Sequence, residues 1–389
     1  MKIVDVCAFY APNGGGVRTY IDRKLQVGEA MGHEIVVIAP GGRNHVEERG
    51  PRARIVWLKS PLFPLDFGYR YFNDMDALHA ALNREAPDMV EASSPWRSAK
   101  MVASWPGTAP RALIMHADPL SAYAYRWFEP LVTRPTIDKH FDRYWRHLRR
   151  LDEDFDMIVS ASPGLTARMV EGGLTKMVTN PMGVDPGIFL PKFRDPELRA
   201  QLLARCDLPP DATLLLSVGR FAPEKRWPML VEAVASAGIQ QPVGLVIAGS
   251  GRDRKTIMRQ RARNPHIRLL GQTADRHELA VLMASADALL HGCEAETFCM
   301  VAAEAVASGL PLIVPDRGGA ADQALATGGM TYQSASASAA SAAIVEFIET
   351  GAGVRQRARK LTPPRTMDDH FAELFAAYAG LLEPARFAA

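Results

Sequence analysis

The chain has 389 residues, 48% of them hydrophobic, and a formal net charge of +2 at pH 7. This length exceeds what one hydrophobic core usually organises, so we expect a globular protein of two domains. The small net charge indicates no nucleic-acid partner. Its four cysteines form neither a CxxC pair nor a disulfide framework, which suits a reducing cytosol and predicts no metal site. They are Cys7, Cys206, Cys293 and Cys299.

Short β-branched runs alternate with helical patterns twice along the chain, which predicts an α/β protein with two doubly wound parallel sheets. The first series of predicted strands comprises Ile3 to Phe9, Glu34 to Ala39, Arg54 to Leu58, Met89 to Ala92, Ala112 to His116, Met157 to Ser160 and Lys176 to Asn180. The second comprises Thr213 to Val218, Gly244 to Ala248, Ile267 to Leu270, Ala288 to His291 and Leu312 to Val314. An acidic residue inside the first run favours a strand over a signal peptide, and no apolar run reaches the ~18 residues of a spanning helix.

A proline-bearing stretch, 180–186, separates the two series. We therefore predict an amino-terminal domain at 1–183 and a second domain at 184–366. A last helix is predicted at 367–389, and its return to the first domain is left open. Because ligands of such sheets bind beyond the carboxyl ends of the strands, we expect a site in a cleft between two facing sheets.

Glu296 and Glu304 are two carboxylates with seven residues between them, where a predicted strand, loop and helix follow one another. On continuous helix they would lie about 12 Å apart along the axis, so they cannot serve a single ligand atom. The amides of residues 298–301 would open the helix, where anions bind readily. The pattern predicts a long, polyhydroxylated, anionic ligand. A chance pair of glutamates on an amphipathic helix is the alternative.

Glycines 14–16 follow the first predicted strand, where a dinucleotide fingerprint would stand. The GxGxxG pattern fails at Thr19, and the second strand supplies no acidic residue for a ribose, so we do not expect a dehydrogenase. The glycines allow the backbone to approach a phosphate, and a tight turn without ligand is the alternative. Arg220 and Lys225, after another strand, are placed to neutralise a diphosphate, although an isolated pair is usually a solvated loop.

Five motifs in register give the chain a resemblance to a known family. They are Gly15-Gly16-Val17, Met182-Gly183-Val184-Asp185, Gly219-Arg220 with Lys225, Gly249-Ser250-Gly251, and Glu296-x7-Glu304 followed by Gly309-Leu310-Pro311. Together they resemble the retaining glycosyltransferases of family 4, which have the GT-B fold, over nearly the whole chain. Thr273-Ala274-Asp275-Arg276 and Glu296-Thr297-Phe298 are most similar to bacterial glycolipid hexosyl- and mannosyltransferases of the phosphatidylinositol mannoside type.

The resemblance implies roles for the motif residues. Arg220 and Lys225 would hold the donor diphosphate, Glu296 would contact hydroxyls of the transferred sugar, and Glu304 would hold the ribose. His116, at a strand end, would lie beside the donor sugar, and a satisfied core or surface histidine is the alternative. The other implied donor-binding residues are Gly15, Gly16, Gly249, Gly251, Thr297, Phe298 and Cys299. Relatives commonly have glycine where Thr297 and Cys299 stand, so sugar specificity is not carried over.

The implied activity is hexose transfer with retention of the anomeric configuration, from a nucleotide-diphosphate donor such as GDP-mannose or a UDP-hexose. The leaving diphosphate would take the proton of the attacking hydroxyl, so the resemblance implies no protein nucleophile, no cofactor and no metal. The expected acceptor is a lipid or lipid-linked molecule. A soluble small acceptor is the alternative, and a non-catalytic sugar-nucleotide binding module is the alternative of another class.

The first predicted domain contains possible contacts for a lipid acceptor. Residues 61–70 form a loop rich in aromatics, and a predicted helix has an apolar stripe beside a basic face. The stripe comprises Ile137, Phe141, Tyr144, Trp145, Leu148 and Leu151, and the cations are Lys139, Arg143, Arg146, Arg149 and Arg150. Such a helix suits docking on an anionic membrane, and packing of the stripe on the sheet is the alternative. We expect a cytoplasmic protein, peripheral on the inner face of the cytoplasmic membrane.

Overall fold

The computed structural model describes residues 1–11, 15–64, 68–129, 131–261, 264–273, 275–359 and 364–383, with the main chain alone for 352–359. These residues form two compact units. The first unit contains 1–119, 127–181 and the segment that starts at Met367, and the second contains 120–126 and 182–366. The predicted domain boundary at 183/184 thus lies two residues beyond the division at 181/182.

The first unit is built on a sheet with the strand order β3-β4-β2-β1-β5-β6-β7-β8. Its strands are β1 (Lys2–Val6), β2 (Glu34–Gly41), β3 (His45–Gly50), β4 (Ala53–Lys59), β5 (Met89–Ala92), β6 (Arg111–Met115), β7 (Met157–Ser160) and β8 (Met177–Thr179). Neighbouring strands pair in parallel, except that β3 runs antiparallel to β4. The central strands are buried along nearly their whole length, as expected for a parallel sheet covered on both faces.

Helices connect these strands. They are α1 (Gly16–Ala30), α2 (Met75–Glu85), α3 (Arg97–Ala103), α4 (Arg126–Phe128), α5 (Arg134–His140), α6 (Asp142–Asp154) and α7 (Pro163–Glu171), with a π-helical turn at Leu120–Tyr125. Side-chain caps determine where two of them begin. The Asp74 carboxylate accepts a hydrogen bond of 2.9 Å from the Ala77 amide at the start of α2, and the Ser162 hydroxyl accepts one of 3.3 Å from the Leu165 amide at the start of α7.

The second unit has a parallel sheet with the order β11-β10-β9-β12-β13-β14. Its strands are β9 (Thr213–Val218), β10 (Val243–Ala248), β11 (Ile267–Gly271), β12 (Ala288–Leu290), β13 (Leu312–Pro315) and β14 (Met330–Tyr332). Successive side chains of β9 enter different cores, because a strand alternates its side chains between the two faces of the sheet. Leu214 and Leu216 join one apolar cluster, and Leu215 joins the other.

The helices of the second unit are α8 (Pro196–Arg205), α9 (Trp227–Ala237), α10 (Arg254–Arg261), α11 (Arg276–Ser285), α12 (Met300–Ala307), α13 (Gly319–Thr327) and α14 (Ala337–Arg359). Two 3-10 turns, Pro191–Phe193 and Pro223–Lys225, precede α8 and α9.

The last helix, α15 (Met367–Leu382), packs in the first unit. The Phe371 ring lies 5.1 Å from that of Tyr20 in α1, and the hydroxyl of Tyr378 donates a hydrogen bond to the buried carboxylate of Glu91 in β5. Arg23 of α1 pairs with Asp368 at 2.5 Å. The carboxyl-terminal helix therefore completes the core of the amino-terminal sheet.

The prediction of two parallel-sheet α/β domains is confirmed. Each predicted strand coincides with an observed strand to within a few residues. β3 and β14 were missed. β3 is an edge strand with the polar sequence HVEERG and an exposed surface, so it lacks the apolar run used for prediction. β14 has only three residues.

The apolar stripe proposed for membrane docking is interrupted and packed inward. The helical pattern breaks at Phe141 between α5 and α6, and Ile137, Trp145, Leu148 and Leu151 are buried. The interpretation of this stripe as a membrane-facing surface is therefore wrong, and the packing alternative is correct. Among the described residues, no helix combines the length and apolarity required to cross a bilayer.

Candidate active site

Three adjacent strands of the second unit deliver the predicted donor-site residues to one edge of its sheet. β10, β9 and β12 are neighbours and run parallel, so the loops after their carboxyl ends emerge on the same side. These loops contain Arg220 and Lys225 after β9, Gly249 and Gly251 after β10, and 296–299 after β12. The structure thus brings together residues separated by about a fifth of the sequence.

A cavity of about 180 Å³ opens at this edge. Its lining includes Gly219 and Gly249 and the polar residues Arg220, Ser250, Gln272 and Thr273. The Ser250 hydroxyl donates a hydrogen bond of 3.0 Å to the amide oxygen of Gln272. Residue 274, part of the local likeness to mannosyltransferases, lies outside the described residues.

Gly249 and Gly251 are required by packing within the second unit. Their φ values are 152° and 148°, in the region that favours glycine. A Cβ on Gly249 would collide with the carbonyl oxygen of Gly219, and one on Gly251 would lie 2.6 Å from the carbonyl oxygen of Phe221. These glycines therefore let two loops come close enough to line the cavity.

Lys225 and Glu296, from the loops after β9 and β12, form an ion pair. Burial disfavours the charged form of each group, but the attraction between the two, together with contributions from neighbouring groups, outweighs this effect. As a result the pKa of Lys225 is raised and that of Glu296 is lowered. Both groups are charged at neutral pH. An ammonium held by one carboxylate retains further N–H groups for a phosphate.

Glu304 lies on α12 and is almost completely buried. Burial raises its pKa to about 7, although Arg276 of α11 partly offsets the effect by donating a hydrogen bond of 2.9 Å. Arg276 also pairs with Asp185 at 2.8 Å and lies 5.0 Å over the ring of Phe189. Glu304 is therefore held in one orientation by a fixed cation.

The segment before α12 has an unusual backbone. Cys299, the residue before the helix, has a φ of 70° although it is not glycine. The amide group of Gln323 on α13 donates hydrogen bonds to the carbonyls of Phe298 and Cys299, and the amide of Gly319 donates one of 2.7 Å to the carbonyl of Glu296. These bonds fix the loop that contains Glu296 and Thr297, and α12 begins at Met300 with its first-turn amides directed to the loop side.

Arg220 differs from the other charged groups because its side chain is 69% exposed. It pairs with Glu224 at 3.4 Å. An exposed guanidinium at the cavity wall can bind a diphosphate in a bidentate manner without a large desolvation cost.

His116 and the glycine turn belong to the first unit. His116 follows β6, and its ring lies 4.7 Å from that of Tyr20. Burial lowers its pKa to about 4, so it is a neutral imidazole at neutral pH. Gly15 and Gly16 are exposed at the start of α1, and no atom of the described residues lies within 4 Å of a Cβ built on either. Internal packing does not require glycine at these two positions.

The sequence interpretation missed several side chains that organise the site. Gln323 and Glu224 gave no recognisable motif. Arg276 was noted only for its local likeness to mannosyltransferases, not as the partner of Glu304. His291, buried at the end of β12, was treated as part of a strand, yet it lies 3.6 Å from the Cys299 sulfur.

Comparison with known proteins assigns the chain to a family. Residues 201–362 match the family model of glycosyl transferases group 1, and residues 14–187 match that of Glycosyltransferase Family 4. A GDP-mannose-dependent alpha-(1-6)-phosphatidylinositol dimannoside mannosyltransferase of Mycobacterium tuberculosis is 31% identical over 81% of this chain and 79% of its own length. A GDP-mannose-dependent alpha-mannosyltransferase of the same organism is 30% identical over 83% and 81%.

The fold is shared with solved glycosyltransferases. Sucrose-phosphate synthase from Thermosynechococcus elongatus matches 98% of this chain and 99% of its own with a TM-score of 0.74 and 19% identity. Fold and sequence thus define a glycosyltransferase of the GT-B class. The chain belongs to glycosyltransferase family 4 and is a hexosyltransferase.

Proposed function

We propose that this enzyme transfers a hexose, with mannose from GDP-mannose as the first candidate, to a lipid or lipid-linked acceptor with retention of configuration. The 31% identical relative named for GDP-mannose and phosphatidylinositol dimannoside supports both donor and acceptor. The single structural observation that supports transfer is the Lys225–Glu296 ion pair at the edge of the second sheet. Glu304, on the helix that follows the Glu296 loop, is held separately by Arg276.

In the proposed reaction the sugar-to-phosphate bond breaks while the acceptor oxygen bonds to the anomeric carbon on the same face. A leaving diphosphate oxygen accepts the acceptor's proton, so the protein supplies no nucleophile. Arg220 and Lys225 stabilise the charge that develops on the diphosphate. Glu296 accepts hydrogen bonds from hydroxyls of the transferred sugar, and Glu304 accepts them from the ribose. Neither a metal nor a cofactor takes part.

The first unit contributes the proposed remaining groups. His116, as a neutral imidazole, hydrogen-bonds the donor sugar, and Gly15 and Gly16 leave room for the donor phosphates. The open space at these glycines supports this proposal, because packing among the described residues does not require glycine there.

For the acceptor head group we propose a cavity of about 430 Å³ in the first unit. It lies between the ends of β1, β2 and β4 and the described part of the aromatic loop 61–70; residues 65–67 lie outside the described residues. Its walls include aromatic rings and charged groups, the combination that binds a hydroxylated ring. The aromatic and charged residues in these walls include Tyr10, His45, Glu47, Trp57, Tyr69 and Arg70.

For the membrane we propose a different contact from the buried stripe. Four large apolar residues in α4 and in the turn after it are exposed, led by Leu131 at 81% and Trp127 at 58%, with Phe128 and Val132. The exposed cations Arg143 and Arg146 follow on α6. Apolar side chains beside cations suit the interface of an anionic bilayer, where each cation adds about 1 kcal/mol. The corresponding proposed location is the cytoplasm, at the inner face of the cytoplasmic membrane.

Thermal unfolding with a panel of nucleotide sugars tests the donor. We expect GDP-mannose at 100 times its dissociation constant to stabilise the protein by about 2.7 kcal/mol. Transfer is then measured with phosphatidylinositol dimannoside as acceptor, and with soluble inositol phosphates and sugar phosphates. Each assay is run with and without EDTA to test for a metal requirement. NMR of the product gives the anomeric configuration. Transfer to soluble acceptors alone would support the alternative acceptor class. Donor binding without transfer or donor hydrolysis would indicate a binding module.

Liposome flotation tests the membrane contact independently of the chemistry. The protein should float with vesicles containing anionic lipid, and Leu131→Ser should reduce this fraction. Leu325→Ser is a matched control, because Leu325 is a similarly exposed leucine, at 72%, in the second unit. Failure to float with anionic and neutral vesicles alike would overturn the proposal.

A further inference from the structure

We propose that His291, Glu296 and Cys299 form a binding site for a thiophilic divalent cation, best matched by Zn²⁺, and that this ion inhibits the enzyme by occupying the place of the donor. The ion takes no part in transfer. The metal site itself requires only that these three side chains converge.

The three potential ligand atoms lie within 4.8 Å of one another. The His291 Nε2 atom is 3.6 Å from the Cys299 sulfur and 4.0 Å from a Glu296 carboxylate oxygen. Around tetrahedral zinc, with bonds of about 2.0–2.3 Å, neighbouring ligand atoms are roughly 3.5 Å apart. The nitrogen–sulfur distance already has this value, whereas the Glu296 oxygen, 4.0 Å from the nitrogen and within 4.8 Å of the sulfur, must move closer to complete the ligand set.

The histidine is prepared to act as a ligand. Its ring is hydrogen-bonded to the backbone of Cys293, which leaves Nε2 on the side of the Cys299 sulfur. Metal-binding histidines commonly use their second nitrogen in this manner, because the bond fixes the ring and its tautomer. The backbone of His291 is held too, since the Tyr332 hydroxyl donates a hydrogen bond of 2.5 Å to its carbonyl oxygen.

The position of the thiol is a second, independent observation. Cys299 adopts a left-handed backbone conformation that glycine adopts without strain, and its sulfur is buried beside His291. Non-glycine residues in such backbone conformations cluster at functional sites. Three ligands of the types nitrogen, oxygen and sulfur suit zinc, with the fourth position open to water or an inhibitor.

Lys225 disfavours binding of the ion, because its ammonium already forms an ion pair with the Glu296 carboxylate. Binding therefore requires the Cys299 thiol to release a proton to solvent and Glu296 to share or leave its contact with Lys225. Glu296 is also the carboxylate assigned to the donor sugar. The competition between ion and donor, unlike the metal site itself, rests on the proposed function.

Co²⁺ is the probe for the ligand set, because a thiolate ligand and tetrahedral geometry both give strong, distinctive absorption. We expect the unmodified enzyme to develop thiolate-to-cobalt absorption at one equivalent and to lose it when Zn²⁺ is added. Cys299→Ser and His291→Gln should each weaken ion binding on the order of 100-fold. Circular dichroism and thermal unfolding of the same samples establish that each variant is folded.

Two cysteine variants are matched controls. Cys206→Ser removes another buried thiol of the second unit, and Cys293→Ser removes the thiol nearest to the site in sequence; both should retain the cobalt spectrum. Absence of thiolate absorption in the unmodified enzyme, or its persistence in folded Cys299→Ser, would overturn the site. If only Cys293→Ser loses the spectrum, Cys293 and not Cys299 supplies the thiolate, and the proposed ligand set is wrong.

Inhibition is measured separately. Zn²⁺ should raise the apparent KM for donor without changing kcat, and saturating donor should weaken Zn²⁺ binding by at least tenfold. If the cobalt spectrum is as expected but donor does not compete, the ion site stands and the assignment of Glu296 to the donor fails.

Discussion

Arg276 donates a hydrogen bond of 2.9 Å to the buried carboxylate of Glu304, so that two helices, α11 and α12, jointly orient the residue proposed to hold the ribose. Burial nevertheless raises the pKa of Glu304 to about 7. The carboxylate is thus divided between its charged and neutral forms at physiological pH.

This pKa predicts a pH dependence of donor binding. Only the ionised carboxylate accepts hydrogen bonds from both ribose hydroxyls, and ionisation is lost as the pH falls through about 7. Donor affinity measured by calorimetry should therefore fall about tenfold between pH 8 and pH 6. Glu304→Gln should bind donor more weakly, with little dependence on pH over this range. An unchanged slope in Glu304→Gln would assign the titration to another group.

Glu296→Ala should separate transfer from nucleotide binding. The carboxylate is proposed to contact the sugar and not the nucleotide, so we expect kcat to fall about 10²- to 10³-fold while the affinity for GDP changes little. Glu232→Ala is the control, because Glu232 is an exposed glutamate on α9. Equal loss of transfer and GDP binding would contradict the assigned role.

The two sets of glycines should respond differently to alanine. Gly16→Ala meets no neighbour in the described residues, so the melting temperature should be unchanged while kcat/KM for the donor falls at least tenfold, on the order of a lost phosphate contact. Gly249→Ala collides with the Gly219 carbonyl at a φ of 152° and should destabilise the protein by about 2 kcal/mol or more. A Gly16→Ala enzyme with full activity would remove the phosphate role.

Tyr378→Phe should destabilise the protein through α15. The hydroxyl donates to the buried Glu91 carboxylate, which also contacts the buried ammonium of Lys24. Loss of this donor should cost about 1–3 kcal/mol, and the melting temperature should fall by several degrees. Tyr71→Phe is the control, because the Tyr71 ring packs against Phe63 at 6.3 Å. A fall no larger than in this control would show that the hydrogen bond contributes little.

The sequence indicated the architecture because local physical chemistry determines it. β-branched runs such as Met157–Ser160 have strand periodicity whatever surrounds them, and a parallel sheet buries both of its faces. The polar edge strand β3 escaped prediction for the same reason, since its pairing with β4 depends on a neighbour and not on its own composition.

The sequence by itself also determined which residue types the proposed donor site contains, since Arg220, Lys225, Glu296 and Glu304 stand in motifs that resemble those of the family. The tertiary structure alone decided their partners. Glu296 is charged because Lys225, 71 positions earlier, contacts it, and Glu304 titrates near neutrality because helix packing removes water around it. His291 and Cys299 approach each other because Cys299, directly before α12, adopts a left-handed backbone conformation. Ion pairing, desolvation and backbone reversal depend on distances in space, which residue order does not contain.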